Sequence, residues 1–331
     1  MSIIYCERGV LAQRGIRALT HPVSDNSALI ATAANEITLG LGSPSIAGEV
    51  ELDLVISQIS PLDRQVVAGF FPPAKPWPLI PGTAAVAKDA KENYYFAFAE
   101  SVGGGLTRDG VHASRFSLPQ SVLHPIPTGS DYVAIASAVT SLATARSILQ
   151  DIAKVKSGDT LLILGGTGSV GQASIAVGRA LGLKMVVASR DGADIDGVAG
   201  VRNDAIAEGA RAILGRGADV IIDPVGGEIT GNAMSAGAPD CRHVLLGFSS
   251  GAMMPLIAPK FLGGEHQLIG FNLLRRSHEG LAEHVRAAVE DVITGGFAPD
   301  IDSIHPLADG AAAYAHSSKV RGRVLLQGSA S

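Results

Sequence analysis

Residues 160–190 read Thr-Leu-Leu-Ile-Leu-Gly-Gly-Thr-Gly-Ser-Val-Gly-Gln-Ala-Ser-Ile-Ala-Val-Gly-Arg-Ala-Leu-Gly-Leu-Lys-Met-Val-Val-Ala-Ser-Arg. Leu161–Leu164 is a short uninterrupted apolar run, the form of a strand buried on both faces. It leads into Gly166-x-Gly168-x-x-Gly171, with Thr167, Ser169 and Val170 between the glycines. Ala173, Ile175, Ala176, Val177, Ala180 and Leu181 give a small-residue helical face, Gly182 closes it, and Met185–Ala188 is a second apolar run. Strand, glycine turn, helix and strand in about thirty residues make a dinucleotide-binding unit. Gly166 permits the tight turn, Gly168 lets the backbone approach a pyrophosphate, and Gly171 lets the helix pack close to the strand. The free N–H groups that open the helix would then face the phosphates. A glycine-rich turn of another α/β protein is the alternative for the glycines alone, since the chain holds 40 of them. The strands and helix at the right distances argue against it.

Working outward, 331 residues suggest two domains. Apolar residues make up 47% and charged residues 17%, enough for a large core and against disorder. A net charge of −5 with no basic run argues against nucleic acid or an anionic membrane as partner. Cys6 and Cys241 are the only cysteines, so neither a disulfide framework nor a Cys-rich zinc site is expected. The N-terminus lacks the apolar segment of a secretory signal, and no stretch of about twenty residues reads as a membrane span. A soluble cytoplasmic protein is expected.

Residues 1–50 carry little pattern. Ala28–Ala34 fits a helix or a strand, and Leu39–Pro44 reads as a loop. Glu49–Ile56 alternates as a half-buried strand does. Ser60-Pro-Leu-Asp63 breaks it, with Asp63 able to cap a short helix over 64–68, and Phe70–Gly82 is a proline-dense loop of the kind that binds ligands. Short β-like runs at Thr83–Ala87, Tyr94–Ala99 and Val111–Ser117, punctuated by glycine turns, suggest an antiparallel barrel. The character changes at His124-Pro-Ile-Pro-Thr-Gly129. Asp131–Gln150 then reads as a helix, and after residue 190 helices at 203–214, 230–236, 279–294 and 308–316 alternate with strands at Ala218–Asp223, His243–Phe248, Gln267–Phe271 and Arg323–Gln327. Such alternation gives a doubly wound parallel sheet.

Lys156-Ser-Gly-Asp through Gly171 resembles the KPGDTVLVxGAxGxVG signature of the medium-chain dehydrogenase/reductase superfamily. Asp219–Gly227 resembles its DVVxDPVGG strand end, and Arg242–Phe248, Ile304–Tyr314 and Arg321–Leu326 resemble its later landmarks. Ser60-Pro-Leu-Asp63 resembles its NPxD segment, and Pro78–Gly82 and Gly105–Ala113 its upstream half. The likeness is strong over 125–331, fair over 48–125 and poor before that. It implies an α/β fold in which a Rossmann doubly wound parallel sheet, 126–272, interrupts a GroES-like β-barrel catalytic domain, 1–125 completed by 273–331. Neither cysteine falls where the zinc-dependent branch has its ligands, and position 83 is Thr where Glu is usual. The resemblance is therefore to the zinc-free, quinone oxidoreductase-like branch, with no metal.

That resemblance implies an NADPH-dependent transfer of hydride to a quinone or an α,β-unsaturated carbonyl. A non-catalytic NADPH-binding protein, crystallin-like or regulatory, and an enoyl-thioester reductase are the alternatives. Carried over by motif, the catalytic residues are Ser60, Asp63 and Thr144. Gly166, Thr167, Gly168, Ser169, Val170 and Gly171 would hold the pyrophosphate, Val225, Phe248, Phe271 and Asn272 the nicotinamide end, and Arg323 stands where the family has Lys. Each has a plainer reading. Ser60 and Asp63 can shape a turn and cap a helix, Thr144 can be a buried helix hydroxyl, and Phe271 can be core. At the end of the second strand, Ser189 and Arg190 suit the 2′-phosphate of NADPH, whereas Asp191 taking the ribose would favour NADH. Thioester-reducing relatives carry a Tyr after NPxD, and the matching position is Phe71, which disfavours thioesters. Without a side-chain acid, activity is expected to stay nearly flat from about pH 6 to 8. The partners implied are a small-molecule substrate and a second copy of the chain, paired through the sheet edge at His266–Phe271.

Overall fold

The computed structural model describes residues 26–70, 75–276 and 278–328. Cys6 and Phe71 lie outside them. The chain divides into two units, Met1–Thr140 with Arg276–Ser331, and Ser141–Arg275. The division falls inside the helix that follows the proline-rich break, not at the break.

In chain order the first unit opens with β1 (Ser27–Ala33), β2 (Glu36–Leu41), β3 (Val50–Gln58), α1 (Pro61–Val67), β4 (Ala85–Lys88), β5 (Tyr94–Ala97), β6 (Arg115–Leu118), β7 (Leu123–Ile126) and α2 (Tyr132–Arg146). The second holds β8 (Thr160–Leu164), α3 (Ser169–Ala180), β9 (Lys184–Ser189), β10 (Gly200–Arg202), α4 (Ile206–Leu214), β11 (Ala218–Asp223), α5 (Glu228–Met234), β12 (Gly237–Leu245), α6 (Ala258–Gly263) and β13 (Gln267–Gly270). The chain returns to the first unit with α7 (His278–Ile293), β14 (Ile301–Pro306), α8 (Gly310–Ser317) and β15 (Arg323–Gln327).

The first unit is a largely antiparallel sheet in the order β14-β15-β3-β4-β5-β7, with β6 also on β3 and a separate β1–β2 hairpin. Its core joins Leu29, Leu52, Leu54, Phe116, Leu118 and Tyr314. Two segments differ from the sequence reading. Leu39–Leu41, expected as loop, belongs to β2, where Gly40 pairs with Ala28. A Cβ at Gly40 would come within 2.6 Å of Ile30 Cδ1, so the glycine serves strand packing rather than a turn. The break at His124–Pro127 contains β7, which tolerates Pro125 because it is the last strand of the sheet order and needs no ladder donor on its outer side.

In the second unit all six strands are parallel, in the order β10-β9-β8-β11-β12-β13. Every residue of β8 is buried, as its unbroken apolar run requires. The order runs outward in both directions from β8 and β11, so the topological switch point lies between them, where a doubly wound sheet opens a crevice at its carboxyl edge. The run 132–152 is long and apolar enough to cross a membrane by length and composition, yet 72% of its apolar window is buried within the protein, as in a core helix.

Candidate functional site

The dinucleotide residues sit at the carboxyl ends of the parallel strands. β8 ends at Leu164 and turns through Gly165, whose φ of +62° is the left-handed conformation that glycine adopts without strain. The tight-turn requirement therefore falls on Gly165, not on Gly166 as the motif suggests. Gly166 is needed for space, since a Cβ there would lie 2.9 Å from Val187 Cβ. Gly171 is tighter, with a Cβ 2.4 Å from Gly165 O and 2.8 Å from Gly166 Cα. Gly168 differs from both. It is the N-cap of α3 in ordinary extended conformation, it is exposed, and a Cβ would meet only Gly165 O at 3.3 Å. No side chain caps α3 and its first turn holds no acidic residue. The N–H groups of Ser169, Val170 and Gly171 thus lack an intrahelical acceptor. Bare donors, a favourable helix dipole and exposed Thr167 and Gly168 fit a pyrophosphate.

Beyond the switch point, Asp223 ends β11 fully buried and organises the next loop. Its Oδ1 accepts the N–H of Val225 and of Gly226, each at 2.9 Å. Its Oδ2 accepts Thr230 Oγ1 at 2.6 Å and His243 Nε2 at 3.1 Å. Burial alone would raise this carboxyl, but the bonds from His243, Thr230 and Gly226 outweigh it and hold Asp223 below its ordinary value. Gly226 and Gly227 both take positive φ. The loop therefore presents Val225 to the glycine turn, where a Cβ on Gly165 would lie 2.9 Å from Val225 Cγ2. Phe248 belongs to the same cluster, since a Cβ on Gly226 would lie 2.8 Å from Phe248 Cα, and the Phe248 side chain is half exposed.

Ser189 ends β9 buried and donates its hydroxyl to Asp191 Oδ1 at 2.8 Å, while accepting from Gly192 N at 3.0 Å. Asp191 Oδ1 also receives Ala193 N at 3.3 Å. Arg190 is exposed and makes no hydrogen bond or ion pair among the described residues. Phe271 is buried with its N–H on Leu245 O, and Asn272 is exposed with Oδ1 accepting Leu274 N. Thr144, on α2, is buried in the same unit.

The other expected residues lie in the first unit. Ser60 and Asp63 form a reciprocal capping box on α1, Ser60 N to Asp63 Oδ2 at 2.7 Å and Asp63 N to Ser60 Oγ at 3.1 Å. The plainer reading of both is thus present in the geometry, and only Asp63 Oδ1, buried and without a hydrogen bond among the described residues, is left over. Arg323 is buried on β15 and donates Nε to Ser137 O at 3.3 Å. Burial lowers its guanidinium to about 10.

Sequence reading missed a polar chain through the core of this unit. Ser57 Oγ donates to Ala84 O at 2.7 Å, so at its 3.0 Å contact with His112 Nε2 it must accept. The His112 Nδ1 lone pair then receives Tyr314 OH at 2.9 Å. His112 and Tyr314 are 202 residues apart, and no local pattern links them. Cys241 lies buried on β12, where burial pushes its thiol up to about 12. No group of three or more His, Cys, Asp or Glu placed to hold a metal ion occurs among the described residues.

No family model matches the chain. An alcohol dehydrogenase superfamily protein from Novosphingobium aromaticivorans superposes with a TM-score of 0.79 at 23% identity, over 92% of this chain and 99% of that one. The quinone oxidoreductase of Thermus thermophilus, solved also with NADPH, gives 0.75 at 23% identity over 91% and 99%. A mycocerosic acid synthase-like polyketide synthase of Mycobacterium tuberculosis is 33% identical over 143 residues, 40% of this chain and 7% of that protein. A phenolphthiocerol synthesis polyketide synthase of Mycobacterium bovis is 29% identical over 196 residues, 56% of this chain and 9% of that protein. The chain spans less than a tenth of the length of these two relatives. Architecture and likeness together define an α/β chain of the medium-chain dehydrogenase/reductase fold, a Rossmann unit with a GroES-like unit. Its neighbours in that fold are alcohol dehydrogenase-like proteins and quinone oxidoreductases.

Proposed function

We propose that the protein is an NADPH-dependent oxidoreductase that reduces a quinone or an α,β-unsaturated carbonyl without zinc. The observation that carries this reading is the uncapped α3 N-terminus at the switch point, with Val225 against the glycine turn and Phe248 against Gly226 of the next loop. NADPH, when bound, supplies the hydride. The chain's own part is to bind and orient. The N–H groups of Ser169–Gly171 hold the pyrophosphate, and Thr167 and Gly168 leave it room. Arg190, uncommitted and exposed, takes the 2′-phosphate, while Asp191 stays engaged with Ser189 and Ala193. Val225, Phe248, Phe271 and Asn272 line the nicotinamide end. Arg323 is assigned to the cofactor and Ser60, Asp63 and Thr144 to the reacting end by resemblance.

The test is NADPH and NADH oxidation against a panel of quinones, enones and enoyl thioesters. The thioesters belong in it because of the likeness to polyketide synthases. Turnover of quinones or enones with NADPH preferred supports the reading, and binding without turnover of any of them favours the non-catalytic alternative. Arg190→Ala is expected to weaken NADPH about tenfold or more and leave NADH nearly unchanged, as loss of a charge-assisted phosphate contact should. Equal effects on both cofactors would contradict the assignment.

We also propose that two copies pair through β13. It is the outermost strand of its sheet and carries no charge along Gln267–Gly270, while α6 beside it in sequence has no buried residue and Leu262 is 74% exposed. An uncharged open edge invites strand pairing. Sedimentation is expected to give twice the chain mass, shifting toward the single chain in Ile269→Lys. A wild-type monomer at all concentrations would overturn this.

A further inference from the structure

His243 is a poor choice for stability alone. It sits at 1% exposure in the middle of the parallel sheet, opposite Ile221 on one side and Leu268 on the other. Its Nε2 faces Asp223 Oδ2 at 3.1 Å. A buried, hydrogen-bonded carboxylate only accepts, so Nε2 donates in that contact. Nδ1 has no hydrogen-bond partner among the described residues. A buried polar atom without a partner is unfavourable, and an apolar side chain of similar size would avoid it. What the histidine does contribute is a donor to the carboxylate that shapes the Val225–Gly227 loop.

Asp223 ties two further elements to that loop. Thr230 reaches it from α5, His243 from β12, and the N–H groups of Val225 and Gly226 from the loop itself. The loop is closed from outside by Ser250, whose N–H bonds Val225 O at 2.8 Å and whose Oγ bonds Gly226 O at 2.6 Å. Gly226 also bridges to Gly251, and Gly227 O accepts Thr230 N at 3.2 Å. Without the bond from His243, Asp223 Oδ2 keeps only Thr230, and the carboxylate is freer to rotate away from the Val225 and Gly226 N–H groups.

We propose that His243 is a positioning residue for the nucleotide site, holding Val225 against the glycine turn through Asp223. This rests on the dinucleotide reading of that turn. His243 touches neither the turn nor Val225 through its own hydrogen bonds, so its effect passes through the carboxylate.

Two variants of the full chain separate this from a merely structural role. His243→Leu removes both the donor and the orphaned nitrogen. His243→Gln keeps an Nε2 donor at the same reach. NADPH binding is followed by fluorescence titration and stability by Tm without ligand. The expected result for His243→Leu is a Kd for NADPH raised about tenfold, the scale of one hydrogen bond to a charged group, in a chain that still folds although its Tm falls as the buried Asp223 loses a donor. His243→Gln is expected to return the Kd to within about twofold of wild type. An unchanged Kd in His243→Leu overturns the assignment, as does a fall in Tm and affinity together that Gln does not rescue. Absence of NADPH binding by the wild-type protein is a different failure, because it removes the dinucleotide reading itself.

Discussion

Replacing Gly168 with aspartate is expected to weaken NADPH binding a hundredfold or more while leaving the fold intact. Gly168 has φ −80° and ψ 167°, a conformation open to any residue, and a Cβ there needs only a few tenths of an ångström from Gly165 O. Aspartate is a good N-cap, so α3 gains a side-chain acceptor it now lacks and stability holds or rises slightly. The same carboxylate, however, occupies the donors proposed for the pyrophosphate and repels it. A like charge a few ångströms away costs on the order of 3–4 kcal/mol at an effective dielectric near 20, a factor of a hundred or more in affinity. Gly171 cannot serve for this test, because its Cβ would collide with the backbone of Gly165 and Gly166 and any loss of binding would follow loss of packing. Melting curves and NADPH titration of Gly168→Asp decide the matter. Unaltered binding would mean that the α3 N-terminus does not hold the phosphates.

Glu100→Gln is expected to flatten the pH dependence of stability. Glu100 lies almost fully buried in the first unit. Burial first, and the nearby charge of Asp63 second, push it up to about 8. Its value in the unfolded chain is the ordinary 4.5. Between those two values the folded protein keeps a proton that the unfolded chain has released, so stability falls as pH rises from about 4.5 to about 8 and levels off above. The whole loss is on the order of 3–5 kcal/mol. Glutamine stays neutral, so the variant should match wild type in acid and exceed it by that amount above pH 8. Denaturant unfolding at a series of pH values checks this, and equal slopes in the two proteins would contradict it.

The sequence and the structure agree most closely where local chemistry decides. The run Leu161–Leu164 and the glycines after it set a buried strand, a turn and a helix within twelve residues, and no distant contact is needed to read them. Gly165 escaped because a motif gives spacing, whereas the left-handed φ appears only where β8 turns into α3. β7 escaped because Pro125 reads as a breaker, and its tolerance depends on β7 being the last strand of its sheet, a tertiary fact. That Ser60 and Asp63 shape a helix start was legible, but the sequence reading put the cap at Asp63 before a helix over 64–68, whereas Ser60 is the N-cap of α1 and Asp63 lies in its first turn. The Ser57–His112–Tyr314 chain was not legible, since strand pairing and the return of α8 bring its members together from three distant segments. His243 was quoted only as part of a strand, and its role depends on an Asp223 that lies 20 residues earlier on the neighbouring strand.

The central claim is that the carboxyl edge of the parallel sheet binds NADPH through the glycine turn and Arg190. The most direct measurement is a fluorescence titration of the wild-type chain with NADPH and with NADH. The account predicts saturable binding of one NADPH per chain, tighter than NADH. No saturable binding of either, or tighter binding of NADH, would contradict it.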